Sequence, residues 1–124
     1  MLTVDWKPNP NDPSFHLDYF NPNGVNVGGV YVIWHGGTQP RVVQVAQGEN
    51  IGQHLRSLNK DPAIMAYKQY GELYVTWAAV PASIRGGVER YLIDTYRPLI
   101  ATRFSMIFPI AVSSPFDSSY SIHP

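Results

Sequence analysis

The sequence predicts an α/β fold: a small, three-stranded, mostly antiparallel sheet flanked by helices. Three observations carry that reading. Two runs of β-branched and aromatic residues, 28–35 and 41–47, flank five turn-forming residues, and a third such run occupies 72–80. The stretches after the second and third runs place apolar residues at helical spacing.

The first two runs form a hairpin. Between them lies Gly36-Gly37-Thr38-Gln39-Pro40, where the glycines tolerate positive φ and Pro40 has no N–H to offer a ladder, so the chain reverses there. In the first run Val30, Val32 and Trp34 share one face and Tyr31, Ile33 and His35 the other. Both faces are largely apolar, which predicts a central strand covered on both sides.

A first helix follows from Asn50 to Asn59, with Asn50 or Glu49 as its cap and Ile51, Leu55 and Leu58 as its apolar stripe. At about 100° per residue, His54 lies close to that stripe and Arg56 points to solvent. Asp61-Pro62 opens a second, shorter helix over 62–69 that Gly71 can close. The third strand stops at Pro81, and a late helix runs from Arg85 to Arg97, bounded by Pro98, with Glu89 near its start and beside its buried stripe.

The two ends of the chain read differently. Residues 1–27 form an irregular arm, broken by Lys7-Pro8-Asn9-Pro10-Asn11-Asp12-Pro13, although residues 15–20 alternate enough for a short strand. Trp6, Phe15 and Phe20 are costly to leave in water, so the arm is expected to pack on the central domain of residues 28–101. Residues 102–124, interrupted by Pro109 and Pro115 and rich in serine, read as an extended tail.

Composition limits the function classes. Nine basic residues balance nine acidic ones and only 15% of the chain is charged, so no global field draws it to nucleic acid or membrane. The distribution is uneven: residues 41–103 carry eight basic against five acidic side chains, net +3, and both flanks are acidic. Without cysteine, disulfides and thiolate metal sites are excluded, and any metal must take carboxylate, histidine or water ligands. No apolar run approaches a membrane span and the N-terminus lacks a signal core, so a soluble, cytoplasmic protein with no membrane partner is expected.

Gly29-Val30-Tyr31 followed by a hairpin, a helix, a third strand and a helix bearing Glu89, with Pro98 nine residues further on, resembles the GIY-YIG nuclease family. The resemblance spans residues 28–101. It implies a site in which a late-helix glutamate holds one magnesium or manganese ion, while two strand tyrosines and a helix arginine surround the scissile phosphate. Carried over, Tyr31 matches the first tyrosine and Glu89 the metal ligand. The second tyrosine position is Gln44, the arginine position is His54, and the late asparagine position is Ala101. The sequence departs from the family's pattern at these three. Gln44 cannot supply a phenolate, and His54 does not supply a fixed charge at neutral pH.

A nuclease-derived domain with a decayed catalytic site is therefore expected, binding nucleic acid, DNA or RNA, or a protein partner without efficient cleavage. A working metal-dependent endonuclease and a structural or protein-interaction module are the other classes. Tyr31, Gln44, His54 and Glu89 are expected to converge on one concavity. Arg41, Arg56, Lys60 and Lys68, with Arg85, Arg90, Arg97 and Arg103, are the candidate phosphate contacts, and Tyr67 and Tyr70 the candidate base-stacking residues.

Overall fold

The computed structural model describes residues 1–7, 17, 25–100, 107–116 and 122. Its centre is a fully antiparallel three-stranded sheet in the order β2-β1-β3, formed by β1 (Gly29–His35), β2 (Arg41–Gly48) and β3 (Leu73–Ala79). Every residue of β1 is buried, as expected of a central strand with two apolar faces. Between β2 and β3 come α1 (Ile51–Leu58), the short α2 (Pro62–Met65) and a 3-10 turn, Ala66–Tyr70, and α3 (Ala82–Tyr96) follows β3.

Local chemistry sets most of these boundaries. The Asn50 side chain accepts from the Gln53 N–H at the start of α1, and Asp61 accepts from Ala63 at the start of α2, with Pro62 in the first turn. The segment expected as one helix over 62–69 tightens to 3-10 geometry after Met65, where only one side chain in nine, Ile64, is buried to hold it. Helix α3 begins three residues earlier than expected, directly after Pro81, because Arg85 folds back and donates Nε and Nη2 to the Val80 carbonyl oxygen. It ends in Arg97, which takes the left-handed conformation (φ 47°) usually left to glycine, just before Pro98.

The sheet separates two cores. Tyr31, Ile33, Val43 and Val75 face α1 and α2 through Ile51, Leu55, Leu58 and Ile64. Val30, Val32, Trp34, Val42 and Val45 face α3 through Val88 and Leu92. A β-bulge opposite Ile33 and Trp34 shifts the alternation of β2, so that Val43 and Val45, two residues apart, enter opposite cores.

Both sheet edges are occupied. Lys7 exchanges backbone hydrogen bonds with Trp77 on β3, and the Leu17 N–H donates to the Leu73 carbonyl oxygen at 2.7 Å. On β2, the N–H groups of Leu99 and Ile100 donate to Val42 and Val43. Residues 1–7 also lie along the tail: Leu2 bridges Val112, and Trp6 Nε1 donates to the Ser113 carbonyl oxygen at 2.8 Å. Leu2, Val4 and Trp6 pack on the α3-side core, and Val112 and Phe116 belong to it. The strand expected at 15–20 lies outside the described residues except for Leu17, as do Phe15, Phe20, Asp12, Asp18, Ala101 and Arg103.

Candidate functional site

Two regions gather the residues singled out above. The first lies where β1 begins and β2 ends. There Gly29 pairs with Gly48, so the hairpin carries no side chains at its last rung, where Ala79 on β3 completes the sheet. The His54 ring fills part of that space: a Cβ on Gly48 would stand 2.8 Å from His54 Nε2, and the ring meets Tyr31 edge-on with centroids 6.1 Å apart. Tyr31 and His54 are thus in contact.

Glu89 reaches the same end of the sheet from α3. Its Oε1 accepts from Gln47 Nε2 at 3.4 Å, and its charge acts on the Tyr31 phenol. Tyr31 belongs to the α1-side core, whereas Val88 and Leu92, the helical neighbours of Glu89, belong to the α3-side core. Phenol and carboxylate therefore come from elements on opposite faces of the sheet and interact through charge. Gln44 sits apart from this group, paired with Ile33 toward the middle of the hairpin. The glutamine that meets Glu89 is Gln47, three residues further on and paired with Val30.

Glu89 departs from the sequence expectation in a second way. Because α3 starts at Ala82, Glu89 is two turns into the helix and 7% exposed, within the buried stripe. The helix N-terminus therefore contributes little to it, since that field fades within the first turn.

Burial dominates the electrostatics here. Desolvation, with the charge of Glu89 and then of Asp61 adding to it, pushes the Tyr31 phenol up to about 12. At neutral pH Tyr31 is therefore held as the neutral phenol, a poor general base in this state. Desolvation also raises Glu89 above the usual carboxylate range, opposed by the hydrogen bond from Gln47. A folded-state pKa above the unfolded value means that the unfolded chain binds fewer protons, so stability falls as pH rises from the usual glutamate range through the raised value. Glu89→Gln is expected to flatten that slope and to be more stable than the parent above this window. Urea denaturation across a pH series checks it, and a variant less stable than the parent at neutral pH contradicts it.

The ion implied by the resemblance would have Glu89 as its protein ligand. Among the described residues no group of three His, Asp or Glu side chains gathers to hold a metal. One Glu89 oxygen already accepts from Gln47. Magnesium is commonly held by one or two carboxylates completed by water, and Glu89, with its other oxygen not engaged by Gln47, is the residue here that would hold such an ion.

The second region lies at the opposite end of the hairpin. A cavity of about 590 Å³ is lined by His35, Thr38, Gln39, Arg41, Tyr67, Gln69, Tyr70 and Leu99. Turn and 3-10 segment are locked together there: a Cβ on Gly37 would overlap the Tyr70 carbonyl oxygen, and the Gly36 N–H donates to the Glu72 carbonyl oxygen at 3.0 Å. The His35 ring stacks on Tyr70 with centroids 5.8 Å apart, and Tyr67 tilts against Tyr70 at 6.1 Å. Arg41 donates Nη2 to the Arg97 carbonyl oxygen at 3.0 Å, while its buried Nε has no hydrogen-bond partner. His35 Nδ1 accepts from the Gly37 N–H at 3.3 Å, and burial, then the charge of Arg41, lowers its pKa. At neutral pH His35 is therefore an uncharged ring with its proton on Nε2.

Three of the residues named for nucleic-acid contact, Arg41, Tyr67 and Tyr70, meet in this cavity, whereas Arg56, Lys60 and Lys68 are exposed but do not line it. Arg85 leaves the list of candidate phosphate contacts, because it is 9% exposed and spent on Val80. Arg90 is paired with Asp94 at 2.9 Å, as its i, i+4 spacing predicts. His35 and Gln47 were missed. His35 ends a strand whose apolar neighbours hide it, and of the two glutamines on β2 the resemblance points to Gln44 and not to Gln47. No helix among the described residues is long and apolar enough to cross a membrane. Comparison of the chain with known protein families, with curated proteins and with solved structures finds no match.

Proposed function

We propose that this chain is a GIY-YIG-type domain derived from a nuclease, which binds single-stranded nucleic acid and does not cut it. The observation that carries the binding half is the cavity in which Arg41, Tyr67 and Tyr70 converge. A guanidinium offers a fork for phosphate oxygens, and aromatic faces accept bases of any sequence. Turn and 3-10 segment are held by backbone contacts, so little ordering is required on binding.

The non-cutting half rests on the other region. The Tyr31 phenol is pushed toward its protonated form, Glu89 is desolvated and engaged by Gln47, and the family's arginine position is occupied by His54. Loss of one preorganised transition-state donor costs about 10²–10³ in rate, and the family's pattern has lost more than one.

The test is fluorescence anisotropy with labelled single- and double-stranded DNA and RNA across a salt series, alongside incubation of the same substrates with magnesium or manganese. Expected are binding to single strands that weakens with salt, with a slope of about −0.7 per phosphate contact, and no cleavage. Absence of salt-dependent binding favours a protein-interaction or structural role. Cleavage that Glu89→Ala abolishes would restore the endonuclease.

A further inference from the structure

We propose that the cavity at the hairpin turn seats one unstacked nucleotide unit, its base against the exposed part of the Tyr70 ring and its phosphate on Arg41 and the Nε2–H of His35. The proposal deepens the nucleic-acid reading and rests on it for the polymer, but it makes a separate claim about a single nucleotide.

Four features of the cavity point to that ligand. Its volume, about 590 Å³, lies within the range of sites that enclose a small organic molecule, roughly 300–1,000 Å³. Tyr70 is 56% exposed although its ring is braced by both His35 and Tyr67, so an aromatic platform is held rigid while part of it stays open. Arg41 is anchored by one Nη2 bond to Arg97, and its buried Nε lacks an acceptor. An unmatched buried donor on a cation is costly, and an anionic oxygen entering the cavity satisfies the same guanidinium. Finally, the amides of Gln39 and Gln69 line the wall, and each offers both a donor and an acceptor for a base edge.

The combination distinguishes a nucleotide from simpler ligands. A bare anion uses Arg41 and His35 but leaves the aromatic platform wet, and a plain aromatic compound leaves the cation unmatched. His35 suits the role because it is uncharged at neutral pH: it gives a hydrogen bond to phosphate without adding a second positive charge beside Arg41.

The test uses the full chain, with adenosine 5′-monophosphate, adenosine and inorganic phosphate titrated separately while the side-chain NMR signals of His35, Tyr67 and Tyr70 are followed. The monophosphate is expected to shift all three rings, and adenosine and phosphate each to bind at least about tenfold more weakly. Tyr70→Ala is expected to weaken the monophosphate by roughly 5- to 150-fold, with Tyr70→Phe restoring it, and Arg41→Lys to weaken it by about tenfold or more because the fork is lost. Tyr70 is exposed, so its replacement leaves the core intact, and the methyl region of the same spectra verifies folding. Equal affinity in parent, Tyr70→Ala and Arg41→Lys, or shifts confined to other residues, overturns the proposal. Oligonucleotide binding that both variants retain at parental strength also overturns it, while leaving the nucleic-acid function standing at another surface. Monophosphate bound in the cavity without any oligonucleotide binding supports this site and overturns the polymer reading.

Discussion

Trp34→Ala is expected to destabilise the protein by about 3–5 kcal/mol, the range for removing a fully buried tryptophan. Trp34 is 1% exposed on the α3 face of the central strand. Its ring stacks on Tyr74 at 4.6 Å and meets Phe116 edge-on at 5.3 Å, and its Nε1 donates to Thr76 Oγ1 at 3.1 Å. Truncation opens a cavity, deprives the buried Thr76 hydroxyl of its donor, and releases the aromatic contact that ties the tail to the sheet. Set against about 5–15 kcal/mol for an entire domain, the loss is a large share of the total and lowers Tm by roughly 10–20 °C. Thermal and urea unfolding followed by circular dichroism measure it. A midpoint within a few degrees of the parent's shows that Trp34 is not the keystone of this core.

Leu17→Ala carries the second-largest expected effect, about 2–4 kcal/mol. Leu17 is 2% exposed in the α1-side core, and its backbone N–H donates to Leu73 at the end of β3. Losing the side chain removes core volume directly beside this backbone bond, which is thereby loosened. The expected signature is twofold: a lower urea midpoint, and proteolytic cleavage within residues 8–24 under conditions where the parent survives. An unchanged midpoint together with parental resistance rejects this role for Leu17.

Leu17 also shows where sequence reasoning stops. Hairpin, helix caps and third strand are legible because neighbouring residues encode them: Pro40 and two glycines for the turn, Asn50 and Asp61 for the caps, Pro81 for the stop. The alternation over residues 15–20 suggests a short strand, but in a proline- and asparagine-rich arm nothing local says which core its leucine enters or which edge of the sheet it meets. The bulge at Val43 is equally silent, since no glycine announces it, yet it decides which core each valine of β2 enters. Of the candidate site, the residue types at Tyr31, His54 and Glu89 were legible, and so were Arg41, Tyr67 and Tyr70. Their grouping was not. The cavity exists because residues 35–41 meet residues 67–70 through the Gly37 and Tyr70 backbones, a contact made across intervening helices. The partner of Glu89 depends on how far along β2 the helix α3 crosses, which separates Gln47 from Gln44.

The occupied edges of the sheet have a kinetic consequence for recruitment. A partner that docks by adding a strand needs a free row of N–H and C=O groups. On β3 that row is engaged by Lys7 and Leu17, and on β2 by Leu99 and Ile100. At these positions strand addition is thus an exchange reaction, in which an intramolecular competitor held at high effective concentration must leave before the newcomer can pair. Its rate is limited by the unfastening of the incumbent segment and becomes independent of partner concentration at saturation. Recognition through the open cavity at the hairpin turn has no such step and rises in rate with every increase in ligand.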